Sequence, residues 1–328
     1  MRSIQMLYFL EYVSMKKRRH HYVWRHYLRA WSENEQIWCS RNNKIFLSNL
    51  MNIGQERDFY RLKDLKIQDV EFIKLLIGEH QSEMLTKLNH GWIELFTAVF
   101  KIRETVNDLG ISDSDFEEEI EKQIINIGED FHSSIESGAI KFLEGMLTND
   151  TDFLNDEDSS IEFIHYLCVQ YFRTKNIKEN VSSAVSKLGP LDIDKVWNIL
   201  SHIFSTTLGW SIHGERALWN VVIFKNHTNT PFITGDQPVI NTYAAFGNEA
   251  IERDHLELYY PLSPNKALLL TKKTEYQKVP CKELSETEVA HFNDAIVDLA
   301  YEQIYSSSKF QLNQVAEKYN KALQRTSR

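Results

Sequence analysis

The sequence predicts an α+β fold: a predominantly α-helical N-terminal two-thirds, a small antiparallel β-sheet over about residues 216–275, and a closing C-terminal helix. Three observations carry this. All six prolines lie after residue 189, and proline is excluded from helix interiors and common at turns. Before that point, apolar residues recur every three or four positions, the period of a helix with one buried stripe. After Glu215 short β-branched and aromatic runs alternate with turn residues.

Taken in order, residues 1–15 read as an N-terminal extension. Their apolar run is interrupted by Glu11 and followed, not preceded, by a basic cluster, which is not the pattern of a signal peptide. No stretch approaches the ~20 apolar residues that span a bilayer, so no membrane partner is expected. KKRRHHYVWRHYLRAW, Lys16–Trp31, places Val23, Tyr27, Ala30 and Trp31 on one apolar line. A helix docked by that face is expected, with Arg25, His26 and Arg29 on its other sides and His20 and His21 just before it.

Further helices follow in VEFIKLLIGEH, through Val70, Ile73 and Ile77, and in GWIELFTAVFKI, through Trp92, Leu95, Phe96 and Val99. DSDFEEEIEKQI opens a helix that Ser112 or Ser114 can cap and whose acidic first turn suits the helix dipole. NDTDFLNDEDSS reads as a loop without calcium-ligand spacing. IEFIHYLCVQYF and the stretch from about Asp192 to Ile212 complete the helical part.

ALWNVVIF, the turn KNHTNTP and FITGDQPVI then predict one hairpin, and LELYYPL, SPN and KALLLTKK a second. Ser285 is placed to cap the last helix. One large domain over 16–310 is expected, helical over 16–215 and sheet-bearing over 216–310, followed by a helical tail at 311–328.

With 46 acidic against 37 basic residues, a net charge of -9, the chain does not read as a nonspecific nucleic-acid coat, which needs many Lys and Arg contacts to phosphate. A local basic patch remains open. Cys39, Cys168 and Cys281 are far apart with no C-x-x-C pair, which suits a reducing, cytoplasmic compartment. There is no Walker loop, G-x-G-x-x-G, H-E-x-x-H or G-x-S-x-G, so the usual nucleotide, zincin and serine hydrolase readings lose support.

Several polar residues stand out. In FITGDQPV, Pro238 forces Gln237 out of helical geometry, so Asp236 projects from a strand end, either toward a ligand or into an Asx-turn with the following amides. Gln170 and Arg173 lie three apart on one helix face, where a guanidinium offers a fork for phosphate or carboxylate. Glu215, beside His213, could hold a metal with Asp236 or simply cap the helix end and pair with Arg216. His20 and His21 suit proton transfer or metal ligation.

Together these pieces resemble the bacterial domain of unknown function 4238 family. Its opening motif of histidines before Tyr-Val-Pro-Arg-x-Tyr-Leu is matched by His20, His21, Tyr22, Val23, Arg25, Tyr27 and Leu28, with Trp24 in place of the proline. Its Arg-Asp-Phe-Tyr stretch appears as Arg57 to Tyr60, preceded by Glu56, and its Gln-x-x-Arg-Thr as Gln170, Arg173 and Thr174. Ile233 to Val239 match Ile-Thr-Ser-Asp-Asn-Pro-Val, with Gly235 and Gln237 as departures, and Pro261 to Pro264 match Pro-Leu-Ser-Pro. Asn293 lies in the last helix. The resemblance runs from about residue 16 to 308 and supplies no reaction, but polar motifs scattered along a chain suggest one converging site.

The expectation is therefore a phosphodiester hydrolase, a metal-dependent nuclease of the toxin or phage-defence kind. Asp236 and Glu215 would hold Mg²⁺ or Mn²⁺, His20 or His21 would move the proton, and Arg25, Arg57, Gln170, Arg173 and Gln237 would bind the substrate. The alternative is a non-catalytic protein that grips a nucleotide or another anion with the same Arg/His cluster. A third is a scaffold in which Arg173 and Asp236 pair with each other.

Overall fold

The computed structural model describes residues 15–78, 82–185, 192–246 and 255–315, and it is α+β. The 1–14 extension and residues 316–328 of the expected tail lie outside the described residues. The first five residues of that tail, 311–315, are helical and bury Leu312 against the sheet-bearing core.

The N-terminal part is less helical than its lack of proline predicts. β1 (Arg19–His21) pairs antiparallel with β4 (Gln55–Arg57) as a two-stranded ribbon. Between them, β2 (Gln36–Arg41) and β3 (Lys44–Asn49) form a hairpin. Asn42 and Asn43 turn that hairpin with φ of 50° and 61°, the left-handed pair a two-residue turn requires. The predicted docked helix shrinks to α1 (Arg25–Leu28) and a 3-10 turn over Arg29–Trp31. Val23, Tyr27 and Trp31 of its apolar line dock as expected, while Ala30 is exposed: the Trp31 indole donates to Phe232 O at 2.8 Å, and the Tyr27 hydroxyl donates to Pro261 O at 2.8 Å.

Five helices follow. α2 (Ile67–Ile77), α3 (Glu83–Asp108), α4 (Ser114–Thr148), α5 (Glu157–Phe172) and α6 (Lys175–Val185) lead to α7 (Ile193–Gly214). Asp113, not either serine, caps α4 by accepting from Asp115 N and Phe116 N, and Asn149 ends it in the left-handed region. Ile73, Phe96, Ile124, Trp197 and Leu200 form the core between α2, α3, α4 and α7. Leu95, expected in that stripe, faces outward instead.

The sheet part is two sheets rather than one. Strand order is β10-β5-β9-β8-β7 in the larger and β3-β2-β11-β6 in the smaller. These use β5 (Asn220–Asn226), β6 (Thr234–Gly235), β7 (Ile240–Asn241), β8 (Leu258–Ser263), β9 (Lys266–Thr271), β10 (Cys281–Leu284) and β11 (Gln303–Ser306), with α8 (Thr242–Phe246) after β7. The second expected hairpin forms as β8–β9, but the first does not. FITGDQPVI splits, sending β6 to β11 and β7 to β8, because Pro238 lacks the N–H that would continue one strand. α9 (Glu286–Leu299) carries the Ser285 cap in a full capping box with Glu288.

α4 is the spine, reaching from the helical core to the central core of Trp31, Phe142, Tyr166 and Tyr260. Where it passes the segment after β4, Gly128 permits contact: a Cβ there would stand 2.7 Å from Tyr60 Cβ and 2.9 Å from Tyr60 O. Gly138, ten residues on, has nothing within 4 Å of a Cβ. Gly128→Ala should therefore destabilise the fold by ~1–3 kcal/mol through overpacking. Gly138→Ala should stabilise it by ~0.5–1 kcal/mol through helix propensity, and urea unfolding of both variants reads the opposite signs.

Candidate active site

Strand alternation sends neighbouring side chains to opposite faces, so β1 buries His20 and leaves His21 partly open. His20 Nδ1 accepts from Tyr60 N at 2.7 Å, and the ring stacks on Tyr60. This places its proton on Nε2, and burial holds its pKa below the ordinary range. His20 is an anchor for the chain after β4.

Ring contacts continue inward as a column. Tyr60 meets His132 of α4 at 4.3 Å between centroids, His132 stacks on His202 of α7 at 5.0 Å, and His202 stacks on Trp92 of α3 at 4.6 Å. Burial keeps both histidines neutral, with His202 pushed down to about 3.

Beside the column lies Arg173, just past the end of α5 and buried. Its Nε donates to the Tyr60 hydroxyl at 2.8 Å, its Nη1 to Glu136 of α4, and its Nη2 to the backbone oxygen of His21. Burial disfavours the cation, but Glu136, Tyr60 and Glu129 more than offset this, and its pKa rises. All three nitrogens are engaged, so this guanidinium holds structure and is not a phosphate fork. Gln170, buried one turn earlier, lies against the Glu136 carboxylate.

Opposite His21 stands Glu129, one turn from His132 on α4. Glu129 Oε1 accepts from His21 N at 3.4 Å and lies 3.9 Å from His21 Nδ1. Their side chains are 16% and 14% exposed, at the rim of the cluster. Among the described residues His21 Nε2 and Glu129 Oε2 are buried without a hydrogen-bond partner, and an orphaned buried polar atom calls for a water, an ion or a ligand. Burial, then Arg173, Arg25 and Arg19, push His21 down to about 4. Burial raises Glu129 to about 7, with Arg173 opposing and Glu136 reinforcing.

The remaining expected residues are placed elsewhere. Asp236 is buried and points at the α9–β11 junction, where Oδ1 accepts from Tyr301 N at 2.8 Å and Oδ2 from Glu302 N at 2.8 Å and Gln303 N at 3.0 Å. Burial raises it to about 7 against the pull of those N–H groups. The carboxylate neither forms a local Asx-turn nor pairs with Arg173. Gln237 donates to Tyr171 O and Val239 O and accepts from the Thr174 hydroxyl, tying the strand to the end of α5.

Glu215 sits at the end of α7, half-exposed and paired with Lys272 at 2.6 Å. Asp236 and Glu215 thus have separate partners, and among the described residues no group of three or more His, Cys, Asp and Glu side chains could hold a metal ion. The Mg²⁺ or Mn²⁺ expected between them does not fit these two side chains. Arg25 leans on Glu35 at the surface, and Arg57 is well exposed opposite Arg19 on the ribbon.

Sequence reasoning missed Tyr60, Glu129, His132 and Glu136 as site residues. A signal was present: NIGEDFHSSIE puts Glu129, His132 and Glu136 at helical spacing beside an apolar stripe, where polar residues need partners.

The chain belongs to the family described as protein of unknown function (DUF4238), whose model matches residues 19–192 and 198–310. No curated protein and no solved structure matches it.

Two outcomes follow from these contacts. Asp236→Ala removes the acceptor of three N–H groups, of which that of Gln303 is buried, and should cost about 2 kcal/mol in urea unfolding. Glu129, raised from 4.5 to about 7 in the folded chain, keeps a proton that the unfolded chain gives up. Its contribution is therefore most favourable below 4.5 and is lost as pH rises through 7, by on the order of 3 kcal/mol at most. Glu129→Gln should raise the melting temperature at pH 8 but not at pH 4, and a shift of equal size at both would remove the assignment.

Proposed function

We propose that the protein cleaves phosphodiester bonds of RNA, with His21 as general base and Glu129 as general acid. The observation that supports this most is the His21–Glu129 pair, two titratable groups 3.9 Å apart whose remaining atoms have no partner among the described residues. Their surroundings push the two pKa values apart, to about 4 and about 7. Between those values the imidazole is neutral and the carboxyl protonated, the forms an acid–base pair needs.

In this reading His21 Nε2 takes the proton of a ribose 2′-hydroxyl as its oxygen attacks the adjacent phosphorus. Glu129 donates its proton to the departing 5′-oxygen, leaving a 2′,3′-cyclic phosphate and a 5′-hydroxyl. Arg19, Arg25 and Arg57 supply positive charge around the entry. The reactive atoms are covered, so substrate entry requires the β1–β4 ribbon to lift, and an isolated two-stranded ribbon is marginal on its own. No step passes through Asp236 or Glu215.

A nuclease of the toxin or phage-defence kind, acting in the cytoplasm, would suit such a centre. Among the described residues no helix is long and apolar enough to cross a membrane, and all three cysteines are free.

The test incubates the purified protein with one single-stranded RNA and its all-deoxy counterpart, each with EDTA, Mg²⁺ or Mn²⁺. RNA should be cut in EDTA and DNA left intact. The rate should rise as pH passes about 4 and fall above about 7, and His21→Ala or Glu129→Gln should each cost ~10²–10⁴-fold in kcat. Cleavage that needs the metal, or that survives both variants, would overturn the assignment. Nucleotide binding without cleavage would move the same cluster to a binding role.

A further inference from the structure

Helix α3 carries two apolar faces, and the described residues cover only one of them. Leu85, Ile93, Phe96 and Val99 pack inward, whereas Leu88, Leu95, Ile102 and Leu109 run along the outer side at 43%, 43%, 42% and 69% exposure. Met84 extends the same side at 60%. The spacing between the four is seven residues, the repeat of a helix that meets another helix along a seam. On a helix of 26 residues this seam is about 39 Å long.

Half-way between the large residues stand small ones: Gly91, Ala98 and Thr105. Gly91 has nothing within 4 Å of a Cβ. Laid antiparallel against a copy of itself, the seam puts Leu88 against Thr105, Leu95 against Ala98 and Ile102 against Gly91, with Leu109 against Met84 at each end. Each inner layer then matches a large side chain with a small one, which lets knobs fill holes.

The charges flanking the seam are complementary in that same alignment. Along the solvent-side edge stand Lys87, Glu94, Lys101 and Asp108, alternating in sign at seven-residue intervals. Antiparallel self-pairing sets Lys87 beside Asp108 and Glu94 beside Lys101, and two-fold symmetry repeats both. Every nearest flanking pair is thus of opposite sign. In the monomer Lys87 rests on Glu83 of its own helix, an exposed pair of small worth.

We propose that the protein is a homodimer held by antiparallel pairing of α3 with α3 of a second copy, an interface independent of the acid–base reading. The occupant is a second copy because the face complements itself in size and charge, as an isologous contact requires. The ring column reaches α3 through Trp92 and Phe96, which are off the outer seam, and His21 and Glu129 lie on other elements.

Sedimentation equilibrium of the full chain over roughly 1–100 µM, the range in which a micromolar dimer shows both states, tests this. Wild type should reach twice 38.6 kDa. Leu95→Glu with Ile102→Glu should stay monomeric with an unchanged circular dichroism spectrum. Gly91→Leu should raise monomer stability through helix propensity while weakening the dimer, so failure to fold cannot imitate the result. Glu94→Lys alone should weaken the dimer about five- to tenfold, by placing like charges together twice. Adding Lys101→Glu should restore it, because the swapped pair is again complementary. A wild-type monomer at the highest concentration, a dimer indifferent to the seam variants, or a double swap without recovery would each overturn the proposal.

Discussion

The Arg173 guanidinium is the contact on which the architecture around the candidate site turns. A buried cation is tolerable only when it is paired and hydrogen-bonded, and this one meets Glu136 on α4, the Tyr60 hydroxyl and the His21 carbonyl, one through each nitrogen. Three segments far apart in sequence are thereby fixed to the end of α5. Other ties hold the ribbon and its flanks to the body as well: Tyr60 N to His20, His21 N to Glu129, Lys17 to Asn126 and Asp130 of α4, and Glu56 to Lys175. Removing Arg173 would leave the buried Glu136 carboxyl without its cation, so its loss would act on folding before chemistry.

Asp236 and Gln237 do for the sheet part what Arg173 does for the ribbon. Asp236 gathers three consecutive N–H groups where α9 gives way to β11, and Gln237 reaches the last turn of α5 and Thr174. The scattered polar motifs bond largely to backbone groups, and at separate places: Arg173 at the ribbon and Asp236 at the start of β11. Polar side chains whose bonding capacity is spent on the chain itself have little left for a ligand. His21 and Glu129 each keep one atom unspent, as His20 and Gln170 also do, but only this pair sets an imidazole and a carboxylate side by side at the partly open rim.

Much of the fold was legible in the sequence because the signals were local. Apolar periodicity marks α2, α5 and α7, and Ser285 with Glu288 marks the start of α9. The strands between Arg19 and Arg57 were hidden because absence of proline permits a helix without requiring one, and the Asn42-Asn43 turn signal was passed over. Splitting of β6 from β7 was hidden because β11, the partner of β6, is almost seventy residues further on. In the site, His21 stood in a recognisable motif, whereas Glu129 was one acid among many. What sets it apart is burial against Arg173 and Glu136, which exists only once α4 and α5 pack.

Helix α3 shows the same limit from the other side. Periodicity reads its apolar positions as one buried stripe, yet Leu95 faces out while Phe96 and Val99 face in. A helix with two apolar lines is ordinary only if both are covered, because a long exposed row of leucine and isoleucine costs solubility and is seldom left free. Within the chain α4 and α7 cover one line. Small residues between the large ones and alternating charges beside them would be without purpose on a merely solvated face, where neither size nor sign needs to repeat every seven positions. Both patterns acquire a physical cause once a second α3 lies across the first.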